Sequence, residues 1–366
     1  MGFEEFLGNE RIVAALRGML RRGRMPSGLL FTGPRGMGKF TLARMFAEAA
    51  NCVKLADDFC GECENCVRIG RMAEPAPLIE QGLAERGESA DAATVERTPL
   101  ILETHPDVWL AVPDPVRLRN PVARPILRVG QLRAVQRAAY FQPQAKRRIF
   151  ILDGADTMRW NDADVFLKIL EEPPETATLI LLAESPDAML PTIRSRCLQF
   201  HFAPVAQEKV EEFLGLRTEV KGKERKLAAQ LSGGSPGVAL TLDLEESARL
   251  RRMLLEWLEK AVSGERYGEL FAASAQLAKQ EKESFEFILE IVYSLLTDLL
   301  ETSQSPKQAL LRNPDLETEI AKLARRISTN WMTGAVSKLD ELAGGLRRNV
   351  NRQLALDAYA STLSVT

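Results

Sequence analysis

The sequence predicts an α/β domain built on a parallel sheet, then a small helical unit, then an all-α C-terminal domain. Three observations predict it. Short apolar runs alternate with helical periods up to about residue 204, and a glycine-rich loop follows the first of these runs. From about residue 246 onward the apolar residues recur only at helical spacing.

Leu29-Leu30-Phe31, Ile149-Phe150-Ile151-Leu152 and Thr178-Leu179-Ile180-Leu181-Leu182 each end in turn or polar residues. Runs this short, set between helical segments, read as strands buried on both faces. Residues 205–243 read as a small helical unit that closes at Gly233-Gly234-Ser235-Pro236-Gly237. Beyond it, Leu250, Met253, Leu254, Trp257, Leu258 and Ala261 mark one helix face. Phe285, Ile288, Leu289, Val292, Leu295, Leu296 and Leu299 mark another, with Phe287 and Ile291 on its far side. Such a helix suits a bundle interior or an oligomer contact. The expected domains are 1–204, 205–243 and 246–366. Within the first, residues 73–100 are weakly patterned and acidic (Glu80, Glu85, Glu88, Asp91, Glu96) and read as a surface insertion.

Composition narrows the function classes. The 366 residues are 45% hydrophobic and 27% charged, an ordinary globular balance, with a formal charge of −2. Any nucleic-acid contact must then come from a local patch. No uncharged apolar run approaches a bilayer span, since the most apolar helix carries Glu286, Glu290 and Asp298. A cytoplasmic protein is expected. Four of the five cysteines crowd into residues 52–66, which in a reducing compartment points to metal rather than disulfides.

After Leu29-Leu30-Phe31-Thr32 comes Gly33-Pro34-Arg35-Gly36-Met37-Gly38-Lys39 and a helical pattern. This is a phosphate loop: backbone N–H groups at Gly33, Gly36 and Gly38 can curl round an anion, and Lys39 can reach terminal phosphates. A working loop has a hydroxyl directly after the lysine to hold Mg²⁺. Here Phe40 stands there, and Thr41 lies about 100° further round the helix. Two readings stay open, nucleotide binding and an inherited loop that only shapes the domain. Asp153, after Phe150-Ile151-Leu152, sits where a metal-orienting acid belongs, but the next residue is Gly154, which cannot activate water. Hydrolysis by this chain alone is not expected.

Cys60-Gly61-Glu62-Cys63-Glu64-Asn65-Cys66 gives two C-x₂-C steps, with Cys52 eight residues before Cys60. Four thiolates (Cys52, Cys60, Cys63, Cys66) suit tetrahedral Zn²⁺ and leave no position for substrate, so the site reads as structural. Cys197, His105 and His201 read as structural residues outside it. Between Asp114 and Asp153 there is no acid but nine basic residues, Arg117, Arg119, Arg124, Arg128, Arg133, Arg137, Lys146, Arg147 and Arg148. They could follow DNA phosphates, pair with the acidic insertion or form solvated faces. Arg128 and Arg133 are the candidates for DNA.

Phe166-Leu167-Lys168-Ile169-Leu170-Glu171-Glu172-Pro173-Pro174 and Leu190-Pro191-Thr192-Ile193-Arg194-Ser195-Arg196-Cys197 closely resemble signatures of bacterial clamp-loader subunits, a branch of the AAA+ ATPases. Leu7-Gly8-Asn9-Glu10 and the cysteine cluster fit the same family. So does Asn349-Val350-Asn351-Arg352-Gln353-Leu354, which looks like the family's collar. Phe40, Gly154 and a glycine in Gly234-Ser235-Pro236-Gly237 where a nucleotide-sensing arginine would fall resemble the delta-prime branch rather than the gamma/tau motors. The resemblance implies an AAA+ core, a helical lid and a helical collar. It implies a subunit of the DNA polymerase III holoenzyme that is not an ATPase itself. Its Arg196 would project in trans onto ATP held by a neighbour. The implied partners are gamma/tau and delta subunits, the sliding clamp and primed DNA. A gamma/tau-like ATPase, which needs Lys39 to work despite Phe40 and Gly154, and a zinc-dependent nucleic-acid-binding module are the other readings.

Overall fold

The computed structural model describes residues 2–87, 92–114, 125–159, 162, 164–220, 222–264, 267–280, 285–305, 311–345 and 351–364. It divides into two compact units, Met1–Val220 with Gly234–Leu240, and Lys221–Gly233 with Thr241–Thr366. The segment 205–243 contributes to both.

The first unit runs α1 (Glu10–Arg22), β1 (Gly28–Thr32), α2 (Lys39–Asn51), α3 (Glu64–Gly70), α4 (Pro75–Arg86), α5 (Ala92–Arg97), β2 (Ile101–His105) and β3 (Val108–Ala111). It continues α6 (Val129–Ala139), β4 (Arg148–Leu152), α7 (Asp164–Glu171), β5 (Ala177–Ala183), α8 (Pro191–Arg194), β6 (Leu198–His201) and α9 (Gln207–Arg217). The strands form one sheet in the order β2-β3-β4-β5-β1-β6, parallel except for the β2–β3 pair. The sheet is the parallel one the sequence suggested, with one antiparallel edge strand, β2, added to it. The run of β2 is broken, with Glu103 exposed between the buried Leu102 and His105 and a register shift between Glu103 and His105.

The central strands are buried throughout because each feeds two cores. Leu29, Phe31, Ile149, Ile151, Ile180 and Leu182 face one layer, and Leu30, Phe150, Leu152, Leu179 and Leu181 face the other. That two-sided burial is why these runs read as continuous rather than alternating.

The acidic insertion is more structured than its weak patterning implied, since residues 75–86 and 92–97 are helical. Polar contacts that periodicity cannot register pin it. Arg86 Nη1 donates to both oxygens of the buried Asp114 carboxylate, at 3.0 and 2.8 Å, and Glu96 accepts the Gly130 N–H at 2.7 Å. Glu88 and Asp91 lie outside the described residues.

The other helices are α10 (Gly222–Leu231), α11 (Pro236–Thr241), α12 (Leu244–Ser263), α13 (Tyr267–Ala278), α14 (Phe285–Gln304), α15 (Glu317–Ala324), α16 (Thr329–Gly345) and α17 (Arg352–Ser361). In the second unit Asp243 caps α12, accepting the N–H groups of Glu245 and Glu246 at 3.0 Å. Trp257, wholly buried, donates to Ser274 at 3.0 Å and stacks on Tyr359. Helix α14 lies in the bundle interior, with Ile291 buried and Phe287 packed on the same core. Asp298 accepts the N–H groups of Arg312 and Asn313 at 2.8 Å, and Arg251 forks onto Asp315 at 2.6 and 2.9 Å. Asn349 and Val350 of the collar-like motif lie outside the described residues, and Asn351 caps α17. Among the described residues no helix is long and apolar enough to cross a membrane.

Candidate functional site

The phosphate loop leaves the C-terminal end of β1, where parallel α/β sheets bind ligands. Gly33 donates its N–H to the Glu184 carbonyl at 3.2 Å, and the Gly38 carbonyl accepts the Leu42 N–H at 2.9 Å to begin α2. Lys39 Nζ folds onto its own loop, donating to the carbonyls of Gly33 at 2.5 Å and Pro34 at 2.8 Å. Burial pushes its pKa down, against the opposing pull of Glu184, Asp153 and Asp156. In the first turn of α2, Phe40 packs against the core while Thr41 is exposed.

Asp153 follows β4 and is half-buried, with burial raising its carboxyl. The Gly154 N–H donates to its Oδ1 at 3.0 Å. Gly154 itself is left-handed (φ 64°), and a Cβ there would lie 2.7 Å from Pro113 Cγ. The turn is thus built around glycine, not merely missing a glutamate. Asp156 accepts the Glu184 N–H at 3.2 Å.

The turn entering α11 seats directly on the phosphate loop. Ser235 Oγ donates to the Arg35 carbonyl at 2.5 Å, and the Gly237 N–H to the Gly36 carbonyl at 2.9 Å. Gly36 needs its glycine too, with φ 77° and a Cβ position 2.7 Å from the Val238 nitrogen.

The Ser-Arg-Cys turn lies between α8 and β6. Cys197 points inward, its thiol pushed up to about 12 by burial. Arg196 points outward. Its Nη2 meets Glu171 Oε1 at 2.7 Å, and its Nη1 donates to the Thr192 carbonyl at 2.9 Å and to Ser195 Oγ at 3.3 Å.

The sulfurs of Cys52, Cys60, Cys63 and Cys66 all lie within 4.8 Å of one another. A tetrahedral site with metal–sulfur bonds of about 2.3 Å needs sulfurs about 3.8 Å apart, so this set fits a metal with a small closure. Backbone N–H groups donate to two of the sulfurs. Leu55 donates to Cys52 Sγ at 3.4 Å and Cys63 to Cys60 Sγ at 3.3 Å. Donation from the Glu62 and Cys63 N–H groups pulls the Cys60 thiol down to about 6.

The cluster is wired to the sheet. Asn51, at the end of α2, accepts the N–H groups of Lys146 and Arg147 at 3.1 and 3.0 Å, and Lys146 Nζ donates to the Cys52 carbonyl. Asp107 accepts the N–H groups of Gln144 and Ala145 at 3.0 and 2.6 Å. His105 Nδ1 accepts the Asp107 N–H at 3.1 Å, so its Nε2 carries the proton and donates to Asn65 Oδ1 at 3.1 Å. His201 lies on β6, 3.3 Å from Thr32 Oγ1.

The basic interval splits by environment. Arg117, Arg119 and Arg124 lie outside the described residues. Arg128 is 13% exposed and sits 3.8 Å from the buried Asp114, whereas Arg133 and Arg137 are exposed on α6. Arg147 turns inward onto Thr178 Oγ1 at 2.7 Å, and Arg148 lies among the rings of Trp109, Phe141 and Phe150. The contacts of Glu171, Asn51 and Asp107 are not read from the sequence. Glu171 carried a signal, since it lies inside a signature motif, whereas Asn51 and Asp107 have partners too distant in sequence to be read.

A phosphate loop after β1, an acid-bearing strand β4 one strand removed from it and an arginine turn entering the edge strand β6 together define an AAA+ module, here with a helical domain following. The sequence profile described as DNA polymerase III, delta subunit, matches residues 8–206, more than half of the chain. One described as DNA polymerase III, delta subunit, C terminal, matches residues 245–359. The chain belongs to this clamp-loader family of DNA polymerase III subunits.

Among curated proteins, the DNA polymerase III subunit delta' of Bacillus subtilis (strain 168) is 24% identical over 345 residues, 94% of this chain and 92% of that protein. Subunit tau/gamma of Haemophilus influenzae is 30% identical over 213 residues, 58% of this chain. Subunit gamma/tau of Mycobacterium tuberculosis is 29% identical over 247 residues, 66% of this chain. The chain spans only 25% and 36% of the length of these two relatives. A gamma subunit-related protein from Thermotoga maritima superposes with a TM-score of 0.44 at 16% identity, covering 96% of this chain and 98% of that one.

Proposed function

We propose that this chain is a delta-prime-like subunit of the clamp loader that does not hydrolyse ATP and that supplies Arg196 to ATP bound by a neighbouring gamma/tau subunit. The observation that carries the reading is the first turn of α2, where Phe40 is packed inward and Thr41 faces solvent, so no hydroxyl is offered to a metal beside Lys39. Gly154 removes the water-activating group independently. Arg196, by contrast, lies at the surface, and an arginine supplied in trans stabilises transition-state charge on a transferring phosphoryl group.

In this reading Cys52, Cys60, Cys63 and Cys66 hold a Zn²⁺ ion. With all four positions filled by thiolate its contribution is structural, stapling α3 to the end of α2. The domains are an AAA+ core over 1–204, a lid over 205–243 and a collar over 246–366, and the collar joins the chain to gamma/tau and delta subunits. The assembly opens the sliding clamp on primed DNA in the cytoplasm, with Arg133 as the exposed DNA-contact candidate. Any nucleotide held by the Lys39 loop is an inert ligand.

The test is ATP hydrolysis by the purified chain alone, with and without primed DNA and clamp, beside Lys39→Ala. The reading expects no turnover above that control. Turnover abolished by Lys39→Ala would make the chain a gamma/tau-like motor.

A further inference from the structure

The pair formed by Arg196 and Glu171 bears on how the arginine would be used. Glu171 is the last residue of α7, and Arg196 lies on the turn between α8 and β6. The guanidinium is folded back on its own chain with both terminal nitrogens engaged. Nη2 is 2.7 Å from Glu171 Oε1, while Nη1 bonds the Thr192 carbonyl at 2.9 Å and Ser195 Oγ at 3.3 Å. An arginine grips phosphate by presenting a free edge with two N–H donors. In this arrangement that edge is occupied, and a carboxylate against the fork offsets the charge a phosphate would feel.

We propose that Glu171 is a positioning residue that parks Arg196, and that the fork must leave Glu171 to reach nucleotide phosphates on a neighbouring subunit. This rests on the reading of Arg196 as a trans-acting arginine. The hold is soft by construction. The Arg196 and Glu171 side chains are 36% and 49% exposed, and an exposed pair of this kind is weak. A polyphosphate carries more charge than one carboxylate and competes well for the fork. Parking keeps a long, charged side chain in one place near the interface while it awaits a partner. It also lowers the fraction of assemblies in which the arginine is engaged, and that fraction scales the observed rate.

Glu171→Gln keeps the shape and one acceptor but removes the charge. In a clamp loader reconstituted with this chain, it should raise ATP turnover at saturating ATP by about two- to fivefold, the range a released surface pair allows. Glu171→Ala should act in the same direction. On an Arg196→Ala background, Glu171→Gln should change nothing, because its effect passes through the arginine. A contribution of Glu171 to the folding of α7 alone would not raise the rate or vanish in the double variant.

Turnover at or below that of the unsubstituted assembly in both Glu171 variants, with assembly intact by size-exclusion chromatography, overturns the parking role. A rise that persists without Arg196 overturns it as well. If Arg196→Ala alone leaves turnover unchanged, the underlying reading of Arg196 fails and parking falls with it. A loss with Arg196→Ala and no rise with Glu171→Gln rejects parking only.

Discussion

The N–H of Gly237 donates to the carbonyl of Gly36 at 2.9 Å, so the turn entering α11 rests backbone to backbone on the phosphate loop. A Cβ on residue 237 would lie 2.9 Å from that carbonyl oxygen, closer than real contacts allow. A larger residue could not occupy this position without moving the two segments apart. The seat of the turn therefore depends on this glycine. Gly237→Ala should lower unfolding stability by about 1–3 kcal/mol, the range for overpacking against a backbone that cannot yield. Urea denaturation of the two proteins checks this.

Restoring the glutamate of the water-activating position should fail for a structural reason. Gly154→Glu places a side chain on a left-handed residue whose Cβ position is 2.7 Å from Pro113 Cγ. The expected outcome is a protein less stable by about 1–3 kcal/mol with no ATP turnover above background. Denaturation and a turnover assay on the same preparation test both parts.

Metal removal should loosen more than the cysteine module. The Cys52 carbonyl and the Asn51 side chain hold residues 146 and 147 ahead of β4. Chelation, or Cys66→Ser, should therefore lower the thermal midpoint and speed amide exchange at Lys146 and Arg147 as well as in α3. Hydrogen exchange with and without chelator reads this, and unchanged protection at 146 and 147 would separate the module from the sheet.

His105 sets a pH dependence. Burial pushes its pKa below the ordinary 6.5, and its Nδ1 accepts the Asp107 N–H, so the folded state holds a neutral ring. A lowered folded pKa means the unfolded chain takes up the proton first as pH falls. The contribution of His105 is complete above about 6.5 and is lost as pH drops from there through the lower folded value. Stability from urea titrations should decline over that range, and His105→Gln should flatten the decline while lowering stability at neutral pH.

Much of this architecture is legible in the residues because burial on both faces leaves short, uninterrupted apolar runs. Leu29-Leu30-Phe31 and Ile149-Phe150-Ile151-Leu152 read as strands for that reason. The strand β2 is not legible, since at the sheet edge Glu103 is exposed and the run is broken. The helices of 75–86 and 92–97 escape because their anchors, Arg86 on Asp114 and Glu96 on the Gly130 N–H, join residues 28 and 34 positions apart. At the candidate site, local spacing conveys the loop and the four cysteines, whereas Arg196 is pointed to by the resemblance of its Ser-Arg-Cys turn. Spacing does not convey that Arg128 is tied to Asp114, that Gly237 touches Gly36 or that Glu171 holds Arg196. Each of these is a tertiary contact between motifs, which linear spacing cannot encode.

Single-turnover ATP hydrolysis by a clamp loader reconstituted with Arg196→Ala in this chain tests the trans role of Arg196. The assembly should form normally and lose the kinetic phase belonging to the ATP site that faces this chain. Rates and amplitudes unchanged from the unsubstituted assembly would contradict it.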